Sequence, residues 1–387
     1  MRRIIRTTLG LTSTLLVLAA CASDKGPAPG EPVTLHTLPE AQRLAYLREA
    51  TVWAPIDTGR ADLRSGPPGG RFARDTVLDC AFVMPEEKVH GYTPKFLCRT
   101  ADDKVWKIKY GADNREVYGE VIGSRLLWAL GFFSDRIDPV RVRCSGCPED
   151  PWSAMKDAGD GAGLPPASVV QEFEPAIIES YYGKLMESEA EEGVAWDELL
   201  EQTSTDPKRA GEQRIHREAL ALFAAFLQHA DSKPSQQSLG CAPGAMKRDA
   251  AGAESCSKAQ IYIGDIGAIL GDGWKYKRMS TTKIEYTLWK ETPVWADAKT
   301  CVAVVHGRPN ASLGNVRVSE AARAFLADGL AQLSREQLRG LFEAAKVELL
   351  QETIEPSPGL KRTATADDWA ALFQARARQI IDHRCPA

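Results

Sequence analysis

The sequence predicts an α+β fold in two lobes, a small β-rich amino-terminal lobe with one main helix and a larger, mostly helical carboxyl-terminal lobe. Three observations carry this. Strand-like runs crowd the stretch from Val77 to Tyr110, one helical stretch from Glu116 to Leu130 follows them, and the chain from Ser319 onward is patterned as helix. The expected boundaries are 1–20 for a cleaved leader, 21–60 for a tether and short helix, 61–170 for the small lobe and 171–387 for the large one.

The leader is read first. Arg2, Arg3 and Arg6 precede an apolar run from Leu9 to Ala20, too short for a stop-transfer span. The run ends in Leu18-Ala19-Ala20-Cys21, which resembles the lipobox of bacterial lipoproteins. That resemblance implies that Cys21 becomes the lipidated first residue of a cell-envelope protein facing the periplasm. No Asp directly follows Cys21, and by the same resemblance this implies sorting to the outer membrane. Ser23 to Pro32, rich in Gly and Pro, reads as a flexible tether. The lipid at Cys21 is the one membrane attachment expected, since no later segment approaches a span.

The chain has 387 residues and a net charge of −4 with no basic block, which argues against nucleic acid as a partner. It has nine cysteines, eight of them beyond Cys21, and an even number in an exported chain predicts disulfides. Cys144 and Cys147, in C-x-x-C spacing, have no second such pair or nearby His pair, so they read as a local bridge. Cys241 and Cys256 bound a small, polar stretch and would clip it at its neck. Cys80, Cys98, Cys301 and Cys385 remain. Connectivity is not readable from sequence, and Cys80–Cys98 with Cys301–Cys385 is the chosen pairing.

Along the chain, Leu38 to Arg48 is a short amphipathic segment, and Ala61 to Arg74, rich in Gly, Pro and Arg, reads as a linker or exposed loop. Strands are expected at Val77 to Met84, Pro94 to Cys98 and Val105 to Tyr110. The last alternates Trp106, Ile108 and Tyr110 against Val105, Lys107 and Lys109. In the helix that follows, Ile122, Leu126 and Leu130 recur four apart before Gly131 stops it. Val140 to Cys144 is a further strand, and Val169 to Pro175 is an apolar strand running into a Pro-terminated connection. Leu220, Phe223 and Leu227 lead at helical spacing into the polar loop His229 to Gln236. Gln237 to Gly240 pairs with Ala259 to Ile263 as a hairpin that delivers Asp265. Leu270 to Gly273 reads as the start of a flexible segment. Beyond Ser319, Ser334 and Gln337 match a capping box, and Trp369, Phe373 and Ile380 share one side of the last helix.

In the loop, a carboxylate at Asp231 can accept a hydrogen bond from an incoming hydroxyl, and a cation at Lys233 can neutralise charge on a transferring group. An amide at Gln236 can offer its carbonyl oxygen to a metal. This loop resembles the catalytic loop of protein kinases, H-R-D-x-K-P-x-N, with Gln236 at the Asn position, and Asp265-Ile266-Gly267 resembles D-F-G. The strand carrying Lys107 and Lys109, followed by a helix carrying Glu116 and Glu120, resembles the small lobe of that family. Lys109 would grip nucleotide phosphates, with Glu120 as its preferred partner, while Lys107 points the same way. Gly91 to Lys95 falls where a phosphate-covering loop belongs but has one glycine and no G-x-G-x-x-G.

Together these residues resemble the kinase-like superfamily, with HipA-type bacterial kinases, the lipid-kinase-like group and the secreted casein kinases among the nearest in look. The segments Lys107 to Gly111, Ser124 to Gly131 and Asp231 to Gln237 resemble K-x-K-Y-G, S-R-L-L-W-A-L-G and D-x-K-x-x-Q-Q of exported bacterial proteins, a likeness covering most of the chain beyond about residue 75. The resemblance implies a protein-kinase-like fold, ATP or another nucleotide as cofactor with Mg²⁺ or Mn²⁺, and Asp265 and Gln236 at the metal. It implies that Gln171, Glu172 and Phe173 lie at the hinge that receives the adenine, and that a phosphoryl group passes to a protein, glycan or lipid acceptor. Two rivals stand beside it: a pseudokinase-like binding module, and a structural envelope lipoprotein.

The anchoring expectation has a direct test. Labelled palmitate should enter the wild-type protein, and Cys21→Ala should leave an unlabelled product that is uncleaved or soluble; equal labelling of both would refute it.

Overall fold

The computed structural model describes residues 36–386 except 70–71, 74, 86–90, 92, 157–169, 181–185, 189–192, 251–253, 272–283 and 306–310. Cys21, the leader and the Ser23 to Pro32 tether lie outside the described residues, as do Asp272 and Gly273. Among the described residues, no helix is long and apolar enough to cross a membrane.

The chain is a mixed α/β structure. It begins with strand β1 (His36–Leu38) and helix α1 (Glu40–Glu49), where the amphipathic segment was expected. Strands β2 (Val77–Val83), β3 (Lys95–Thr100) and β4 (Val105–Tyr110) follow, then helix α2 (Glu116–Ala129), strand β5 (Arg136–Ser145), helix α3 (Pro151–Lys156) and strand β6 (Gln171–Ser180). Strands β2 to β6 close a barrel in the order β2-β3-β4-β6-β5. Its interior is small and apolar, with Phe96, Cys98, Ile108, Val142 and Ile178 buried together. The alternation expected of Val105 to Tyr110 is present: Ile108 is in that core with Trp106 and Tyr110 packed against it, leaving Lys107 and Lys109 on the other face.

Two strands are longer than their sequence pattern indicates. β5 begins at Arg136 and runs through Pro139, and β6 continues through Pro175 to Ser180, paired with β4 at Ala176, Ile177 and Ile178. A proline inside an apolar run reads as a terminator because it lacks a donor N–H. Here the ladder shifts register between Val140 and Val142 and carries on past it. The expected boundary at residue 170 therefore falls just before a strand of the barrel.

The rest of the chain continues with β7 (Met186–Ser188), α4 (Trp196–Glu201), α5 (Pro207–Leu227), β8 (Gln237–Cys241), β9 (Met246–Arg248), β10 (Glu254–Cys256) and β11 (Ala259–Ile263). It closes with α6 (Tyr286–Glu291), β12 (Trp295–Asp297), β13 (Val302–Ala303), β14 (Val316–Arg317), α7 (Glu320–Gln332), α8 (Arg335–Ala344), β15 (Thr353–Ser357), β16 (Leu360–Thr363) and α9 (Ala366–Ile381). The hairpin β15–β16 interrupts a stretch whose sequence reads as helical throughout. Helix ends follow capping chemistry: Asp206 caps α5 with Pro207 in its first turn, and Ser334 with Gln337 forms the expected capping box on α8. Thr365 and Asp368 form a second box on α9. Trp369, Phe373 and Ile380 are all fully buried, as their shared side requires.

The residues from Ala61 onward are not a free linker. Leu63 is fully buried, and the buried Arg125 of α2 donates from Nη1 to the carbonyls of Leu63 and Arg64 at 3.0 and 2.6 Å. All four expected disulfides are present: Cys80–Cys98, Cys144–Cys147, Cys241–Cys256 and Cys301–Cys385.

A second buried arginine joins three helices. Arg217 of α5, 1% exposed, donates to the carbonyls of Leu47 and Ala50 at the end of α1 and of Leu199 and Gln202 at the end of α4. Gln213 also donates to the Ala50 carbonyl and Ala50 N to that of Leu47, yet Arg217 is the donor these four carbonyls share, and it is kept despite a burial that lowers its pKa to about 10. Arg217→Met keeps the bulk and removes every donor. It should cost about 3 kcal/mol or more in chemical denaturation, since several buried acceptors lose their partner at once.

Candidate functional site

Four of the sequence-predicted residues converge on one point. Lys109, at the end of β4 and 3% exposed, forms an ion pair with Glu120 of α2 and donates to Asp265 Oδ1 at 2.9 Å. Glu116, one turn earlier on the helix, lies 3.9 Å from the same ammonium. On its other side, Asp265 Oδ2 accepts from Gln236 Nε2 at 3.0 Å.

Local structure explains the convergence. In the antiparallel hairpin β8–β11, Gln237 stands opposite Ile263, and Gly264 N donates to the Gln236 carbonyl at 2.8 Å. The residues just outside the hairpin, Gln236 and Asp265, are thereby neighbours. Asp265 has φ 43°, a left-handed conformation that Asp tolerates better than most residues, and the chain turns there toward α2.

Helix α2 meets that turn through two glycines. A Cβ on Gly119 would collide with the Gly267 carbonyl, and one on Gly123 would fall 2.6 Å from Ile266 Cγ1. Gly267 in turn leaves no room, since a Cβ there would lie 2.9 Å from that of Glu116. Glu120 sits between the two helical glycines, so the same close approach that packs Ile266 brings its carboxylate to Lys109. Gly119 and Gly123 were not singled out from the sequence. Their G-x-x-x-G spacing on one helix face is the signal that could have found them.

Three carboxylates share one buried cation, and their charges separate accordingly. Burial opposes the Lys109 ammonium, but Asp265, Glu120, Glu179 and Glu116 outweigh it and hold its pKa well above the ordinary lysine value. Burial pushes Glu120 well up, with Lys109 opposing. Asp265 also feels burial, yet Lys109 holds it far below the usual carboxylate range. The aspartate, whose side chain is 35% exposed, is thus the anion presented to the outside.

Asp231 and Lys233 lie in the loop after α5. Gln228 ends that helix in a left-handed conformation, and Ala230 N donates to the Ala268 carbonyl at 3.0 Å, tying the loop to the chain just beyond Asp265. Asp231 is 7% exposed, and Lys233 Nζ lies 3.8 Å from its Oδ2. His229 is fully buried with neither ring nitrogen hydrogen-bonded, and burial lowers its pKa to about 4.

Lys107 points to the same face as Lys109 but is taken by the buried Glu179 of β6. That partner was missed because β6 was expected to end at Pro175. The hinge candidates lie at the start of the same strand. Gln171, Glu172 and Phe173 are not brought to the cluster: Lys109 stands opposite Ile177, six residues further along β6, or roughly 20 Å of strand. There Gln171 donates to the carbonyls of Cys147 and Pro148, and Phe173 packs against Phe96 and Tyr110.

The donor set suits a hard divalent cation. Oxygen atoms of Glu116, Glu120 and Asp265 lie within 4.8 Å of one another, and such ions take carboxylate oxygens. Gln236 directs its NH₂ rather than its carbonyl at Asp265, so its oxygen would have to turn to join a metal. Two hollows elsewhere, where β5 and β6 meet Ala344 and Lys346, with α2 lining one of them, include none of these side chains.

No protein-family model and no curated protein matches this sequence. Among solved structures, a Helicobacter pylori proinflammatory kinase, CtkA, overlays with a TM-score of 0.35 at 8% identity, covering 80% of this chain and 95% of that one. An overlay of that score does not by itself identify a fold.

The close packing at α2 is testable. Gly119→Ala adds one methyl against a backbone carbonyl that cannot swing aside, so it should cost about 3 kcal/mol in urea denaturation. A surface change such as Gly211→Ala, with open space at its Cβ, should cost nothing and gain helix propensity.

Proposed function

We propose that this protein binds a nucleotide with Mg²⁺ or Mn²⁺ and transfers a phosphoryl group, as a two-lobed, kinase-like envelope lipoprotein anchored through Cys21. The observation that carries the reading is the contact of Lys109 with Glu120 and Asp265, with Gln236 on the far side of Asp265. A strand lysine, a helix glutamate and a turn aspartate, drawn from sites 11 and 156 residues apart in sequence, meet where two glycines let α2 approach the Ile266–Gly267 turn.

In this reading Lys109 neutralises phosphate charge, Glu120 positions Lys109, and Asp265 holds the metal on the nucleotide. Asp231 receives the hydrogen bond of the acceptor hydroxyl, and Lys233 beside it offsets charge as the phosphoryl group moves. The acceptor is a protein, a glycan or a lipid of the envelope. The metal would supply electrostatic stabilisation of the transferring group; the remaining work is positioning by these side chains.

A second reading, a module that binds nucleotide without transferring phosphate, is favoured by one observation. The Gln236 amide occupies Asp265 Oδ2 with a donor, where a metal site would want an acceptor.

Thermal shift of the purified protein separates these. ATP with Mg²⁺ or Mn²⁺ should raise the melting temperature, by about 2.7 kcal/mol of added stability at 100 times the dissociation constant. Asp265→Ala should abolish the metal-dependent part of that shift. Asp231→Asn should keep the shift but slow phosphate transfer by about 10²–10⁴. Binding without any transfer to envelope extract would leave the second reading standing. No binding under any metal would reject both and leave a structural lipoprotein.

A further inference from the structure

The loop that precedes β3 lacks the glycines with which a backbone could wrap a phosphate chain, and the structure places a side chain there instead. Strand β3 opens on Lys95, directly opposite Lys109 in the β3–β4 ladder. Cross-strand partners project from one face, so Lys95, Lys107 and Lys109 form a patch of three cations on the outside of the barrel wall.

Lys95 differs from the other two in what neutralises it. Lys109 has Glu116, Glu120 and Asp265, and Lys107 has Glu179. Lys95 forms no ion pair among the described residues. Its ammonium stands 5.3 Å from the centre of the Trp152 ring, whose neighbourhood also holds Lys156 at 4.5 Å. The backbone of Gly91 closes on it, since a Cβ there would lie 2.5 Å from Nζ. Burial first, then Lys109 and Lys107, lower its pKa. Asp265 and Glu116 offset the two lysines in part, but neither pairs with Lys95. A half-buried ammonium facing two others, steadied by an aromatic ring and unpaired among the described residues, is a cost to the folded chain that an arriving anion would remove.

We infer that Lys95 is a third cation of the phosphate site, gripping the polyphosphate of a nucleoside di- or triphosphate through its side chain in place of a glycine-rich backbone. This rests on the nucleotide reading above, and it makes recognition depend more on phosphate charge than on the base. Inorganic tripolyphosphate should therefore compete with ATP, while adenosine should not.

Calorimetric titration of the purified protein with ATP and with tripolyphosphate, each with Mg²⁺, tests it. Lys95→Gln should weaken both by about tenfold or more, the scale of one charge-assisted contact, and Lys95→Arg should retain most of the affinity. Without ligand, Lys95→Gln should melt at the same temperature as wild type or higher, because it removes a half-buried charge that is unpaired among the described residues. A structural lysine would show the reverse, a lower melting temperature with unchanged affinity, and that result overturns the inference. If wild type binds ATP and Lys95→Gln binds it equally well, Lys95 is not a phosphate ligand and the nucleotide reading survives. If tripolyphosphate binds in a Lys95-dependent way but ATP does not, the cation site stands and the nucleotide reading falls. If neither binds wild type, both fall.

Discussion

One ammonium group, that of Lys109, holds three distant pieces of chain at a single point. Taking it out of water is expensive, and the expense is met only because Glu120, Asp265 and Glu116 all reach it. That requirement fixes much else. Helix α2 must lie close enough to β4 for a glutamate to span the gap, and the turn at Asp265 must come up from the other side. Removing one partner would strand charge in a buried place, at a cost of about 3–5 kcal/mol. The geometry is therefore tightly determined without any ligand.

Helix α2 is the element on which these demands converge. Every residue from Val117 to Leu127 is buried, including Glu120, Ser124 and Arg125. A helix buried on all sides cannot be amphipathic in the ordinary sense, and each of its polar residues needs a named partner. Glu120 has Lys109, and Arg125 has the carbonyls of Leu63 and Arg64. The helix is an internal strut between the barrel wall and the Asp265 turn, with α8 packed on it as well.

Much of this was legible wherever the signal was local. The alternation on β4, the stop at Gly131, the hairpin that delivers Asp265, the Ser334 box and the cysteine pairs each appear where the sequence puts them, and all but Cys301–Cys385, which spans 84 positions, depend on neighbours within a few tens of residues. What was illegible depends on distant partners. Pro175 reads as the end of a strand because nothing nearby reveals the ladder that β4 continues beyond it. Residues 61–64 read as a linker because their anchor, Arg125, lies some sixty positions away. Glu179 and the two glycines of α2 take their meaning from Lys107 and the Asp265 turn, which local pattern cannot supply.

The disulfides carry a consequence for how such a chain matures. Ordered along the sequence, the eight paired cysteines join first to second, third to fourth, fifth to sixth and seventh to eighth. A chain that leaves a membrane pore amino terminus first, as the proposed export requires, presents each cysteine to an oxidant just before its own partner. Pairing each newcomer with the last free thiol then produces the native set without reshuffling. A cell lacking disulfide isomerase but keeping its oxidase should still accumulate correctly bridged protein, and the fold asks nothing more of the compartment than an oxidant.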